Sequence, residues 1–242
     1  NNKMLKRMLI LLAVLFVIVF ILIKAEDFIK EQQASDKISV IINNSNKTER
    51  LKNDIRVEDE VIYMSIDDMK NFFDKYIYIE DEINEIVTTY DDKIASIGFE
   101  SNKLTLNGST KKTSAHAIKE NETVYLPISE MKDVYDIQID NIADSKIIVI
   151  DSLEKEQVQA KTKSDVSVKA KKEGFSKTVD KIEKDNQVIV IKNNNNEISE
   201  KGWTKIRTQS GMLGYVKTSK LDEITTTREA KEQTKQITGK VD

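Results

Sequence analysis

The residues with the clearest capacity for chemistry lie near the C-terminal end of the chain, at Trp203, Lys205, Arg207 and Tyr215. On an extended strand, side chains alternate between faces. Trp203, Lys205 and Arg207 therefore share one face, while Thr204, Ile206 and Thr208 share the other. An aromatic ring flanked by cations can stack on the apolar side of a glycan or peptide stem. The cations can then donate charge-assisted hydrogen bonds to its acidic groups. That chemistry is recognition, not catalysis. A second reading fits the same residues: a small barrel needs Trp203 and Tyr215 for its core, and the cations merely keep its surface soluble.

Other chemistries lack their groups or their spacing. With no cysteine, disulfides, thiolate metal sites and Cys–His pairs are excluded. The single histidine, His116, sits in a polar run and reads as a surface residue with no motif identifying a serine partner. Seven glycines are present, but none forms a G-x-G-x-x-G or G-x-x-x-x-G-K phosphate loop. Carboxylates cluster at Asp67-Asp68, Glu80-Asp81-Glu82 and Asp91-Asp92 without the alternation of a calcium loop. They read as solvated loops and helix N-termini. We therefore expect no catalytic residue, no metal and no cofactor. Lys plus Arg number 38 against 41 Asp plus Glu, a net charge of −3 that argues against a nucleic-acid partner.

The element that sets the address of these residues is at the other end. Residues 8–23 are uninterruptedly apolar, with Lys3, Lys6 and Arg7 before them and Lys24 after. Sixteen helical residues span roughly 24 Å, slightly less than a hydrocarbon core of about 30 Å. Met4 and Leu5 lengthen the span if Lys6 and Arg7 snorkel toward the headgroups. Glu26, Asp27 and Glu31 follow, so the positive-inside rule places the N-terminus in the cytoplasm and the bulk of the chain outside it. The expectation is a single-pass signal-anchor in the lipid bilayer. A cleaved signal peptide is the competing reading, opposed by bulky Ile23 where a small residue is wanted. Asn1, rather than Met, opens the chain, as a processed or incomplete N-terminus would.

Between anchor and Trp203, short Ile-, Val- and Tyr-rich runs alternate with Asn, Asp and Gly. The runs at 38–42, 61–66, 94–99, 103–106, 123–128 and 147–150 read as strands. Ile66, Met69, Phe72 and Phe73 have helical spacing, as do Ile128, Met131, Val134 and Tyr135, with Asp67 and Ser129 as expected caps. These segments expose a repeat at an offset of 62 residues. Residues 60–70 (Glu-Val-Ile-Tyr-Met-Ser-Ile-Asp-Asp-Met-Lys) align with 122–132 (Glu-Thr-Val-Tyr-Leu-Pro-Ile-Ser-Glu-Met-Lys), and Asp74 aligns with Asp136. Each copy reads strand, helix, strands, with the later strands at 76–79 and 86–89, and at 137–139 and 147–150. Beyond a charged connector, strands are expected at 166–170, 176–182, 187–192, 203–208 and 213–217, with a turn at Asn193–196.

The segment Tyr-Leu-Pro-Ile-x-x-Met at 125–131, followed by the runs at 137–139 and 146–150, resembles the stalk domain called copper amine oxidase N-terminal-like. Ser65 replaces its usual Pro in the first copy, and Asp136 stands where Gly is common. The resemblance implies no copper, since His116 is the only histidine. Gly202-Trp203-Thr204-Lys205-Ile206-Arg207, with Gly211-Met212-Leu213-Gly214-Tyr215-Val216 and Leu221, resembles the closing motif of bacterial SH3-like domains, Tyr215 replacing a second Trp. An anchor followed by these two domains resembles the front of clostridial family 18 glycoside hydrolases, whose barrel would then follow residue 242. Their Asp-x-x-Asp-x-Asp-x-Glu motif does not occur in this chain.

The expected architecture is one transmembrane helix, a mixed α+β stalk domain with internal duplication, and an all-β SH3-like small barrel. The boundaries are 1–25 for tip and anchor, 26–37 for a juxtamembrane stalk and 38–152 for the stalk domain. A linker follows at 153–164, then the SH3-like domain at 165–222 and a second linker at 223–242. The expected function is non-enzymatic: a membrane-anchored, extracytoplasmic envelope-binding and stalk region of a glycosidase acting on N-acetylglucosamine-containing polymers. The alternative is a complete non-enzymatic surface protein that binds peptidoglycan or a protein partner through its SH3-like domain.

Overall fold

A computed structural model describes residues 4, 6–8, 11–23 and 37–231. The N-terminal helix α1 (Lys6–Ile23) has 18 residues, about 27 Å of helix, and is long and apolar enough to cross a membrane by length and composition. A signal sequence has the same character. Among the described residues the apolar side chains of α1 are exposed. Apart from Lys37, the expected juxtamembrane stalk lies outside the described residues, as do 24–25 and the linker residues 232–242. From Ser39 on, the described chain belongs to one compact, mostly β unit.

The first module begins with β1 (Ser39–Ile42), β2 (Ser45–Asn46), β3 (Arg56–Glu58) and β4 (Val61–Ser65), followed by helix α2 (Ile66–Phe72). A meander of β5 (Tyr78–Glu80), β6 (Glu85–Tyr90), β7 (Lys93–Gly98), β8 (Lys103–Leu106) and β9 (Ser109–Lys112) comes next. Then come β10 (Ile118–Glu120), β11 (Thr123–Pro127), helix α3 (Lys132–Tyr135), β12 (Ile137–Ile142) and β13 (Ile147–Ser152). Three sheets result: the meander, a sheet ordered β10-β11-β4-β3, and one ordered β12-β13-β1-β2 with β1 parallel to β13. Parallel pairing needs a long crossover, and here almost the whole module intervenes between its first and last strands.

The two segments that align at an offset of 62 residues lie side by side in the middle sheet. Strand β4 pairs antiparallel with β11 as Ser65↔Tyr125, Met64↔Leu126 and Tyr63↔Pro127, so the aligned pair Met64 and Leu126 lies at the centre. Aligned Met69 and Met131 are both fully buried, and the rings of aligned Phe73 and Tyr135 lie 6.0 Å apart. The caps differ from expectation. Ser65, not Asp67, caps α2, its Oγ accepting from the Asp68 N–H at 3.1 Å. Asp68 is buried rather than solvated: its carboxylate accepts from the backbone N–H groups of Lys52 and Asn53 and from Ser65 Oγ. Ser129 caps no helix, because its Oγ accepts from the Ile62 N–H of the other copy at 3.1 Å. The second expected helix divides into a 3-10 turn (Ile128–Glu130) and α3, which ends at Asp136 in the left-handed conformation (φ 46°). Asp is among the few residues that take that conformation in place of glycine.

The second module is a seven-stranded sheet ordered β16-β15-β19-β18-β17-β14-β20. Its strands are β14 (Gln157–Thr162), β15 (Val166–Lys169), β16 (Thr178–Ile182), β17 (Gln187–Ile191), β18 (Trp203–Arg207), β19 (Leu213–Lys217) and β20 (Leu221–Arg228). Val158, Ala160, Val168, Val188, Val190, Ile206, Val216 and Leu221 form its core. Both expected linkers are corrected here. The segment 153–164 contains β14, a strand held between β17 and β20, with Val158, Ala160 and Thr162 alternating inward. The C-terminal linker cannot start at 223, because β20 runs on to Arg228 along β14. Asn196 adopts φ 65° in the 193–196 turn, as its position there leads one to expect.

No free linker separates the modules. Ile41, Ile147 and Val149 of the first form an apolar cluster to which Ile142 and, from the second, Leu213 contribute. Gly211 (φ 83°) comes so close that a Cβ there would lie 2.8 Å from Ile147 Cγ2. Its lack of a side chain allows both the backbone conformation and the approach. Beside this cluster Arg207 forms a bidentate pair with Asp151, at 2.9 Å and 2.5 Å, and donates to Asn44 Oδ1 at 2.5 Å. The two charged side chains are only 7% and 8% exposed.

Candidate functional site

Cross-strand pairing fixes which side chains share the outer face of the second module. Trp203 stands opposite Lys217, Lys205 opposite Tyr215 on one side and Ile191 on the other, and Arg207 opposite Leu213 and Ile189. Lys169 of β15 adds to the row by pairing with Tyr215. Val188, Val190, Ile206 and Val216 point the other way, into the core. The alternation expected along β18 is therefore the alternation observed.

The four expected ligand-binding residues do not form one open surface. Arg207 is saturated by Asp151 and Asn44 and buried against the first module. Trp203 is 8% exposed, and the Lys217 ammonium lies 4.3 Å from its ring centroid. A cation over the ring contributes about 0.5–1 kcal/mol at such a site and occupies a face that a ligand would need. Lys205 and Tyr215 remain half-buried side by side, with Lys172 Nζ 5.8 Å from the Tyr215 ring centroid. Lys172 is neutralised by Glu200 at 2.6 Å, which holds the Glu200 carboxyl below its usual range through that hydrogen bond and charge. Among the described residues no carboxylate pairs with Lys205 or Lys217. What the strip offers is the Tyr215 ring, the Lys205 ammonium and the Lys217 ammonium that lies over Trp203.

Other polar residues are tied to one another by hydrogen bonds. His116 is half-buried, its Nδ1 2.7 Å from Asn102 Oδ1, at the edge of a polar cleft with Asp81, Asn84 and Glu100. Among the described residues no group of three His, Asp or Glu is placed to hold a metal ion. Asp74 accepts from the Tyr76 N–H and from the Thr88 hydroxyl, and Tyr135 donates to Thr88 Oγ1 at 3.3 Å. That chain of bonds is sealed in the core of the first module. Burial pushes the Tyr135 phenol well above its ordinary pKa of 10.0.

A second polar surface was not foreseen. Beside the Arg207–Asp151 pair a groove of about 490 Å³ runs between the modules, lined by side chains from β12, β13, β14, β17 and β18. Its members lie up to 71 residues apart (Gln209 against Gln138), so local spacing carries no trace of it. No protein-family model, curated protein or solved structure matches the chain.

Proposed function

We propose that this chain is a membrane-tethered, extracytoplasmic envelope-binding and stalk region without catalytic activity of its own. The duplicated stalk domain would hold an SH3-like module away from the bilayer, and that module would engage cell-wall glycan or peptide. The observation that carries the reading is the Lys205–Tyr215 pair, flanked by Lys217 over Trp203, on the outer face of the seven-stranded sheet. Ammonium groups beside an aromatic ring suit the acidic and amphipathic groups of wall polymers. The apolar run 8–23 within α1 supports the tether. The register of β4 on β11, centred on Met64 and Leu126, supports the duplication. Arg207 takes a different part in this reading, as the group that fixes the module on its stalk. Such a region fits the front of an envelope glycosidase, and an Asp-x-x-Asp-x-Asp-x-Glu motif encoded beyond residue 242 would support that extension.

The test is sedimentation of the detergent-solubilised full chain with purified peptidoglycan. The wild-type chain is expected to pellet. Lys205→Glu combined with Lys217→Glu is expected to lower the bound fraction about tenfold, and added salt to do the same, since exposed charges are screened over about 8 Å at physiological ionic strength. A wild-type chain that stays in the supernatant overturns the reading.

A further inference from the structure

The groove between the modules is rich in one residue type. Five glutamines line it: Gln138 from β12, Gln157 and Gln159 from β14, Gln187 from β17 and Gln209 from the loop after β18. A glutamine amide offers two donors and an acceptor and carries no charge. The two charges at the back of the groove, Arg207 and Asp151, neutralise one another. One carboxylate remains, that of Asp140, and it accepts from Gln138 Nε2 at 3.1 Å. Gln187 Nε2 donates to Gln159 Oε1 at 2.9 Å, which orients both amides across neighbouring strands. Ile189 and Ile142 give the lining an apolar component.

The volume lies within the range of small-molecule pockets, and clefts at domain interfaces are preferred places for them. The walls are fixed by the buried Arg207–Asp151 pair and by the apolar contact around Leu213. An anionic ligand finds no free cation here, since Arg207 is taken by Asp151 and Asp140 repels it, so a hydrogen-bonding ligand without negative charge fits the lining. It must exchange many hydrogen bonds with amides while laying apolar C–H surface on Ile189 and Ile142. Hydroxyl- and acetamido-bearing sugars have that combination. An anionic wall polymer suits the Lys205 strip instead.

Resting on the envelope-binding reading, we propose that this inter-module groove is a second subsite that takes a neutral amino-sugar segment of a glycan, held by Gln138, Gln159 and Gln187. Both modules contribute, so the subsite exists only while they are docked. The test is calorimetric titration of the detergent-solubilised full chain with a tetramer of N-acetylglucosamine. Wild type is expected to bind, and Gln159→Ala/Gln187→Ala to bind at least tenfold more weakly with an unchanged melting temperature. Gln138→Ala, across the groove, is expected to weaken binding severalfold. Equal affinity in wild type and the double variant overturns the proposal, as does a wild-type chain that ignores millimolar tetramer. Binding of a wall stem peptide in place of the tetramer, lost in the same variant, overturns the sugar assignment. A chain that pellets with peptidoglycan but ignores the tetramer overturns this subsite alone. One that binds the tetramer without pelleting overturns the envelope reading alone.

Discussion

Asp151→Ala is expected to cost the compact unit about 3–5 kcal/mol, because it leaves Arg207 buried without its carboxylate. Arg207 has Asn44 as its other partner, and an amide oxygen does not replace a bidentate charge pair. The cost comes from the orphaned charge, not from the net worth of the pair. Arg207→Met in the Asp151→Ala background is therefore expected to recover most of the loss, since replacing a buried pair by apolar groups is often neutral or better. Chemical denaturation of the four variants, treated as a double-mutant cycle, measures this directly. Losses that simply add would mean that the pair contributes no coupling. Because the pair bridges the modules, the single variant is also expected to become more sensitive to protease between Ser152 and Gln157.

Tyr135→Ala is expected to be comparably severe, about 3–5 kcal/mol, as for other large aromatics removed from a core. Tyr135 is fully buried, with Tyr90 edge-on at 5.1 Å and Phe73 at 6.0 Å. Its hydroxyl also ends the chain of bonds through Thr88 to Asp74. Tyr135→Phe keeps the ring and loses only the terminal hydrogen bond, at about 0.5–1.5 kcal/mol. Burial raises the folded-state pKa of Tyr135, and more modestly those of Tyr90 and Tyr63. A raised value means that the neutral form is favoured in the fold, so the stabilisation is intact below about pH 10. It is lost as pH rises above that point. Alkaline unfolding is expected to begin there, and Tyr135→Phe is expected to shift it to higher pH.

How much of this could be read in advance depended on whether the signal was local. Short continuous runs of Ile, Val and Tyr marked β1, β4, β11 and β13, which are buried along almost their whole length, while alternation marked β17. The Glu-x-x-Tyr…Met-Lys match was visible because its residues recur at one fixed offset, and the strands that carry it, β4 and β11, pair. Strands β14 and β20 were missed because their inward residues are only Val158, Ala160, Thr162 and Leu221. The Thr225-Thr226-Thr227 run falls in the segment whose polarity reads as a linker, although threonine is a β-former.

The binding strip was half-visible. Its shared face follows from alternation alone, but the fate of Arg207 does not. Its partner Asp151 lies 56 residues earlier, in a strand of the other module. Asp68 was hidden similarly, since nothing near it announces that the Lys52 and Asn53 amides close over it. The glutamine groove is the extreme case, assembled from residues whose neighbours in sequence are unremarkable strand positions.

Every binding claim depends on the modules facing the envelope from outside while held to the bilayer, so the decisive measurement is protease accessibility on intact spheroplasts carrying the chain. The expected result is that residues 37–231 are digested from outside, that the N-terminal tip is protected, and that undigested chain pellets with membranes. Deleting residues 6–23 should abolish both export and pelleting. Modules protected until the membrane is lysed, or a chain recovered in the soluble fraction with α1 intact, would contradict the account.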